Sequence, residues 1–422
     1  MSVLKETLPL SSVDPGDRDA LRAWYTSSRA AFLEAAPTEA DLDERSKAIA
    51  AHRLTAVRDG ERVVATLRTF DSELTMPGAG PVNVDAVSTA TVLATHRRRG
   101  LLTRMLRADL ERARLAGHAF ATLIAAEAPI YGRFGFGAAT RATSLAIDNT
   151  RVRFRDDAPA ASGSLEFVTG ALDEAALVHD AARRSRPGGL HRDAAFWEAA
   201  NRRGAGRWIG THGHAVLHRD ERGTADGYVV YELRDESVGR VVTGTTTVLD
   251  LTATTPAAYR ALWEFVTSID LVRTTRAKDR PVDELLPHLL LDPRAVQTGP
   301  VDDFAWLRVL DVPGALAARR YLGCGTLVLK VVDPLGLADA TVSLHVAPQR
   351  CGADGWVCAE ITTTDATPDV VLGVGELSSL VLGGTSAVAL HRAGRLDCST
   401  ADAFALQTLF ATPEAPWCPT WF

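Results

Sequence analysis

The sequence predicts a mixed α+β protein of several units, and three observations carry that prediction. Val82–Leu93 is rich in β-branched residues and free of proline, whereas Leu102, Met105, Leu106, Leu110 and Ala113 recur at three- and four-residue steps. A strand is therefore followed by an amphipathic helix. The order hairpin, strand, helix, strand occurs before residue 150 and again between residues 215 and 275. From about Pro300 the pattern changes to strands and helices that fit helices beside an antiparallel sheet. A chain of 422 residues with 46% apolar content has room for about three cores. The expected units are 1–150, 151–299 and 300–422.

In chain order, the first 55 residues read as mainly helical. Asp17–Arg29 places Leu21, Trp24 and Tyr25 on one face, and Asp41–His52 follows a Pro37-Thr38 break. Leu54–Arg58 and Arg62–Phe70, joined through Asp59-Gly60, form a hairpin, because Asp-Gly supplies the positive φ that tight turns need. After the strand 82–93 and its helix comes a second apolar strand, Ala119–Ala125. Asp156–Gly163 has the composition of a linker. In the middle third, Ala175–Arg184 and Phe196–Arg203 read as helices around Pro187-Gly188-Gly189. Ala215–His218 turns at Arg222-Gly223 into Tyr228–Leu233, and Val241–Leu251 precedes a helix at Ala257–Ser268 and a strand at Leu271–Thr275. Leu285–Leu290 reads as a packed, proline-started helix.

The third unit opens with Trp306–Arg319. Strands follow at Gly325–Asp333, Thr341–Ala347 and Gly355–Thr363, with helices at Gly375–Leu382 and Ala401–Phe410. The tail Thr412–Phe422 holds three prolines and three aromatic residues, so it is expected to dock rather than fray.

Chemistry concentrates at His96-Arg97-Arg98-Arg99-Gly100-Leu101-Leu102-Thr103, the turn between strand and helix. The first N–H groups of a helix have no internal partner, and the macrodipole adds positive character. Three arginines raise that potential, and Gly100 lets the backbone approach an anion closely. Alone, the run fits a solvated basic turn or a nucleic-acid patch equally well. A net charge of −6 argues against nucleic acid and suits cationic substrates better.

Downstream stands Ala126-Glu127-Ala128-Pro129-Ile130-Tyr131-Gly132-Arg133-Phe134-Gly135-Phe136. Together, Arg97-x-x-Gly100-x-Leu102 and Tyr131-x-x-x-Gly135-Phe136 resemble the signature of the Gcn5-related N-acetyltransferases (GNAT), with Leu102 where that pattern has a small residue. The wording His-Arg-Arg-Arg-Gly-Leu-Leu with Ile-Tyr-Gly-Arg-Phe-Gly-Phe is similar, more narrowly, to the enhanced intracellular survival (Eis) type, over nearly the whole chain. The resemblance implies two tandem GNAT-like domains, the second degenerate, followed by a sterol-carrier-like α+β domain.

It further implies acetyl-CoA as cosubstrate. Backbone amides of Arg98, Arg99, Gly100, Leu101, Leu102 and Thr103 would hold its pyrophosphate, Ala90, Thr91 and Val92 its pantetheine, with Ala126 and Glu127 flanking. Tyr131 would protonate the leaving thiolate, a task suited to a phenol of pKa about 10. The terminal carboxylate of Phe422 would be the base. Its reference pKa of about 3.5 is too low unless burial raises it, and a bridging water is an alternative relay. Glu34 matches the place of an acidic residue that holds the substrate ammonium, or is a plain surface carboxylate. Trp421 stands where some relatives carry an acidic residue. Resemblance also implies direct transfer in a ternary complex and a homohexamer.

The second copy has Thr254-Thr255-Pro256-Ala257 where the first has its arginines, an ordinary capped helix start with no anion site. His212-Gly213-His214 lacks further ligands nearby, so no metal is expected. No leader and no apolar run near the ~20 residues of a membrane span are visible. Five cysteines, odd in number and all late, fit reduced thiols in the cytoplasm. The expected activity is N-acetylation of an amine, with aminoglycosides, polyamines and lysine-like amines all compatible with an open acidic pocket. The alternative is a non-catalytic acyl-CoA or lipid-binding protein that uses the third unit as carrier.

Overall fold

Three mixed sheets organise the chain, and two of them exchange strands. The computed structural model describes residues 8–168, 172–201, 213–234, 237–238, 241–348 and 355–422. Strand β1 (Leu10–Val13) precedes helices α1 (Arg18–Ala31) and α2 (Glu39–Ala48). Asp17 caps α1, and Thr38 with Asp41 forms a capping box on α2, which explains both starts. The hairpin is β2 (Arg53–Asp59) and β3 (Arg62–Met76), followed by β4 (Gly80–Val92), α3 (Leu101–Leu115), β5 (Phe120–Ile124), α4 (Ala128–Gly132), β6 (Gly137–Ala138) and β7 (Arg141–Asp148).

The middle of the chain gives β8 (Ser164–Phe167), α5 (Asp173–Arg183), α6 (Ala194–Asn201), β9 (Gly213–Arg219), β10 (Ala225–Arg234), β11 (Ser237–Val238), β12 (Val241–Val242), β13 (Gly244–Ala253), α7 (Pro256–Thr267), β14 (Val272–Arg280) and α8 (Leu286–Leu289). Next come β15 (Val296–Asp303), β16 (Ala305–Val309), α9 (Val312–Ala317), β17 (Gly325–Val332), β18 (Ala340–Val346), β19 (Glu360–Thr363) and β20 (Val370–Gly373). The chain closes with α10 (Val374–Leu380), α11 (Ala387–Arg392), β21 (Leu396–Cys398) and α12 (Thr400–Phe410). Among the described residues no helix is long and apolar enough to cross a membrane. His212 lies outside the described residues, and His214 packs beside the Tyr231 ring.

The first sheet runs β1-β2-β3-β4-β5-β16-β6 and the second β15-β7-β14-β13-β10-β9-β8. Two strands therefore cross the divisions expected at residues 150 and 300. Arg141–Asp148 joins the second sheet, and Trp306–Val309, expected to open the third unit, completes the first. The crossing is pinned at Thr140, whose hydroxyl accepts from Ala305 N (2.9 Å) and whose carbonyl accepts from Phe304 N (3.0 Å). Because β6 is only two residues long, it leaves an edge at β5 that β16 fills.

The third sheet runs β19-β18-β17-β20-β21. It departs from the expected antiparallel arrangement at β17 and β20, which are parallel, since the chain crosses over through β18 and β19 between them. One continuous core joins this sheet to the first: Leu74, Val84, Phe120 and Leu307 share a cluster with Leu329, Leu344, Leu377 and Leu406. Arg308 on β16, fully buried, pairs with Asp333 at 2.5 Å and crosses the same junction. On the other face of the first sheet, Met105, Leu106 and Leu110 of α3 pack on Val64, Leu67 and Val87, the stripe that the helical spacing predicted.

Candidate functional site

Strands β4 and β5 begin parallel and then part. They pair only at Asp85↔Ala121 and Ala86↔Thr122. Beyond that point β4 carries a bulge, marked by Thr89 in the left-handed region (φ +50°) and a register shift opposite Thr66–Arg68. The Thr66 hydroxyl donates to the freed Thr89 carbonyl at 3.1 Å, so the irregularity is satisfied from within. The gap opened by the parting strands is a cavity of about 660 Å³.

The basic turn closes one end of this cavity. His96 is buried, with Nε2 3.0 Å from an Asp59 carboxylate oxygen, which anchors the turn to the β2–β3 hairpin. Arg98 and Gly100 both adopt positive φ, +62° and +76°. Gly100 is the N-cap of α3 and has no side chain to accept from the helix start. The first intrahelical bond runs from Arg104 N to Gly100 O, leaving the amides of Leu101, Leu102 and Thr103 without helical partners. Such a start suits an anion. In the second domain the corresponding helix, α7, is capped by Thr255, which accepts from Ala258 N, and Pro256 removes another donor. A cavity of about 470 Å³ persists there, but its Arg280 and Glu284 pair with each other at 2.6 Å.

Of the residues expected at the nucleotide end, Ala90, Thr91, Val92, Arg98, Gly100, Leu101, Leu102, Thr103, Ala126 and Glu127 line the 660 Å³ cavity. Arg99 does not; His96, Arg97 and Arg133 do, beside Phe32 and Ile130.

Tyr131 sits on α4, a single turn begun at Glu127 with Pro129 inside it. Gly135, at φ +79°, ends the turn, and Phe136 N returns to Tyr131 O. The ring packs edge-on to Phe136 at 6.2 Å. Burial first, then the nearby Glu127 carboxylate, push the Tyr131 phenol above its ordinary value. A Cβ at Gly135 would lie 2.6 Å from Val374 and 2.8 Å from the Arg308 guanidinium. Gly135→Ala is therefore expected to cost about 2–3 kcal/mol, from left-handed strain plus overpacking. Chemical denaturation of the wild type and the variant measures it.

Tyr131 also lines a second cavity, of about 570 Å³, together with Phe32, Glu34, Ser88, Trp421 and Phe422. Phe422 reaches it because the tail is held along the second domain. Trp417 N donates to Pro187 O (2.8 Å), and Arg192 donates to Thr420 Oγ1 (3.1 Å) and Pro419 O (2.9 Å). Trp417 and Trp421 donate their indole N–H groups to Asp279. The Phe422 ring then meets Phe70 of β3 edge-on at 5.9 Å. The Pro187-Gly188-Gly189 turn is thus a junction: Gly188 and Gly189 also exchange backbone bonds with Thr75 of β3.

Glu34 is in this wall, but its carboxylate is 3.5 Å from Arg29. The sequence reading missed Arg29, Arg45 and Arg68, which line the same cavity and make its wall cationic rather than acidic. The available signal was Arg68 itself, a charge inside the apolar run Val63–Phe70.

Comparison with known proteins accords with this architecture. Family models described as acetyltransferase (GNAT) domains match residues 12–139 and 188–309, and a sterol carrier protein domain model matches 312–419. An uncharacterized N-acetyltransferase of Streptomyces avermitilis is 42% identical over 94% of this chain and 96% of its own. The N-acetyltransferase Eis of Mycobacterium tuberculosis is 34% identical over 81% of this chain and 82% of its own. Among solved structures, Eis1 from Mycobacterium abscessus superimposes with a TM-score of 0.82 at 28% identity, covering 98% of this chain and all of that one. Two GNAT domains, a sterol-carrier domain and 34% identity to Eis over 81% of the chain together make it a member of the Eis-type N-acetyltransferases of the GNAT superfamily.

Proposed function

We propose that the protein transfers an acetyl group from acetyl-CoA directly to an amine in a ternary complex. The observation that carries this reading is that Tyr131 lines both cavities, one beginning at an uncapped helix start and the other ending at Phe422. Acetyl-CoA supplies the acyl group as an activated thioester. Amides of the Arg98–Thr103 turn hold its pyrophosphate, with Arg98 rather than Arg99 beside it, and Ala90, Thr91 and Val92 offer an unpaired strand edge to its pantetheine.

The Phe422 carboxylate accepts the proton of the attacking ammonium, directly or through water. The free amine attacks the thioester carbonyl carbon. As the C–S bond breaks, Tyr131 donates its phenolic proton to the departing sulfur. The second proton of the acylated nitrogen passes through water to the Tyr131 phenolate, and the proton held by the carboxylate is released to solvent. The products are the N-acetylated amine and free CoA thiol. Glu34, already paired with Arg29, contributes to the rim of the acceptor cavity.

Thiol release from acetyl-CoA, measured across a panel of amines, tests the reading, and absence of turnover with every amine would end it. By resemblance we extend the proposal to a homohexamer in the cytoplasm. Light scattering that gives the mass of one chain would overturn the oligomer.

A further inference from the structure

The acceptor cavity carries more positive charge than the transfer chemistry uses. Its wall holds Arg29, Arg45 and Arg68 against one side-chain carboxylate, Glu34, and the chain terminus. Arg29 is engaged with Glu34 at 3.5 Å and Asp41 at 3.2 Å. None of the ion pairs among the described residues includes Arg45 or Arg68. Arg68 is 7% exposed and donates only to neutral groups, with His52 Nδ1 at 3.2 Å and Ser88 Oγ at 2.8 Å. Its charge lies over the Phe70 ring at 5.1 Å, the same ring that meets Phe422. The Arg45 charge lies over Tyr25 at 5.4 Å, and the Nε atoms of both arginines are buried without a partner.

The Asp193 carboxylate acts on Arg68 from beyond His52, and Glu44 and Glu34 act on Arg45 without contact. A buried cation with no directly bonded counter-ion is costly and is compensated when an anion arrives. Burial, then the charge of Arg45, push Arg68 well below its usual range, and burial likewise lowers Arg45. Both arginines line the cavity, and a planar guanidinium presents N–H donors in a fixed fork that matches a carboxylate. The amine end of the same molecule must reach Tyr131 and Phe422, which line the same cavity. A volume of about 570 Å³ suits an amino acid or a short peptide.

We propose that the acceptor is an amine that also bears a carboxylate, held by Arg68 and Arg45 while its amino group faces Tyr131 and Phe422. This rests on the acetyltransferase reading of the site and narrows it. The test compares matched pairs with acetyl-CoA in the full chain: 6-aminohexanoate against 6-aminohexanamide, and lysine against lysinamide, with cadaverine as the diamine. The carboxylate member is expected to have the higher kcat/KM by about tenfold or more, the worth of a charge-assisted hydrogen bond. Arg68→Met and Arg45→Met should each bring the carboxylate-to-amide ratio towards one, chiefly through KM.

Equal or better turnover of the amides and the diamine by the wild type would overturn this inference while leaving amine acetylation standing. So would a preference that survives in both variants. The wild-type ratio needs no variant, so a misfolded Arg68→Met protein does not remove the test. No turnover of any amine would overturn the proposed function, and this inference with it.

Discussion

Appending a single glycine after Phe422 is expected to lower kcat by about a hundredfold or more, with little change in CoA affinity or melting temperature. The extension converts the terminal carboxylate into a peptide amide and displaces the charge by roughly 3.5 Å. General-base catalysis is typically worth about 10²–10⁴ in rate, so the loss falls in that range. CoA affinity is retained because Phe422 does not line the 660 Å³ cavity. Stability is retained because the tail is fixed upstream, by Trp417, Pro419 and Thr420, and the Phe422 ring stays against Phe70. Deleting Phe422 is the complementary variant. It removes the ring and leaves the new terminus on Trp421, which is 46% exposed and tied to Asp279 on the second domain. Steady-state kinetics, CoA titration and thermal unfolding read the three quantities separately. Wild-type kcat in the extended protein would remove the carboxylate from the mechanism.

The same tail shows how far the sequence could be followed. Three prolines and three aromatic residues implied docking, and the tail does dock. Its berth was not legible, because it is built from backbone carbonyls at Pro187 and Asp279 and from Arg192, groups that carry no tail-specific pattern. Strand and helix periodicity located α3 and its apolar stripe within a residue or so, since that stripe is dictated by burial against β3 and β4. Periodicity does not say which sheet a strand joins. Trp306–Arg319 reads only as the opening of the third unit and Arg141–Asp148 reads as no element, so both strands and their exchange between sheets go unseen in the sequence.

At the site, a similar division holds. Ten of the eleven residues expected around the nucleotide line one cavity: eight are fixed locally by a strand–turn–helix junction, and Ala126 and Glu127 follow the adjacent strand β5. The bulge at Thr89 that parts β4 from β5 had no glycine or proline to mark it. The acceptor wall was the least legible part. Arg45 comes from α2 and Arg68 from β3, so their meeting is a tertiary fact, whereas Glu34 drew attention through its place in a familiar pattern.

Tyr131→Phe isolates the other half of the proton relay, and its expected result is a fall in kcat of about 10²–10³ with CoA affinity near wild type. The substitution removes one hydroxyl and keeps the ring that packs against Phe136, so a purely structural tyrosine would lose little in either quantity. The pH dependence sharpens the distinction. The phenol is held above its ordinary value, about 10, by burial and by Glu127, so it stays protonated through neutral and mildly alkaline pH. An acid of that kind keeps wild-type kcat from falling until the pH approaches or passes about 10, while the need to deprotonate the attacking ammonium makes the profile rise from the acid side. Glu127→Gln removes the nearby negative charge, lowers the Tyr131 pKa, and should move any alkaline descent to lower pH. That shift must vanish in the Glu127→Gln, Tyr131→Phe double variant, because the titrating group is gone. A shift that persists without the phenol would assign the descent to another group and leave Tyr131 as a packing residue.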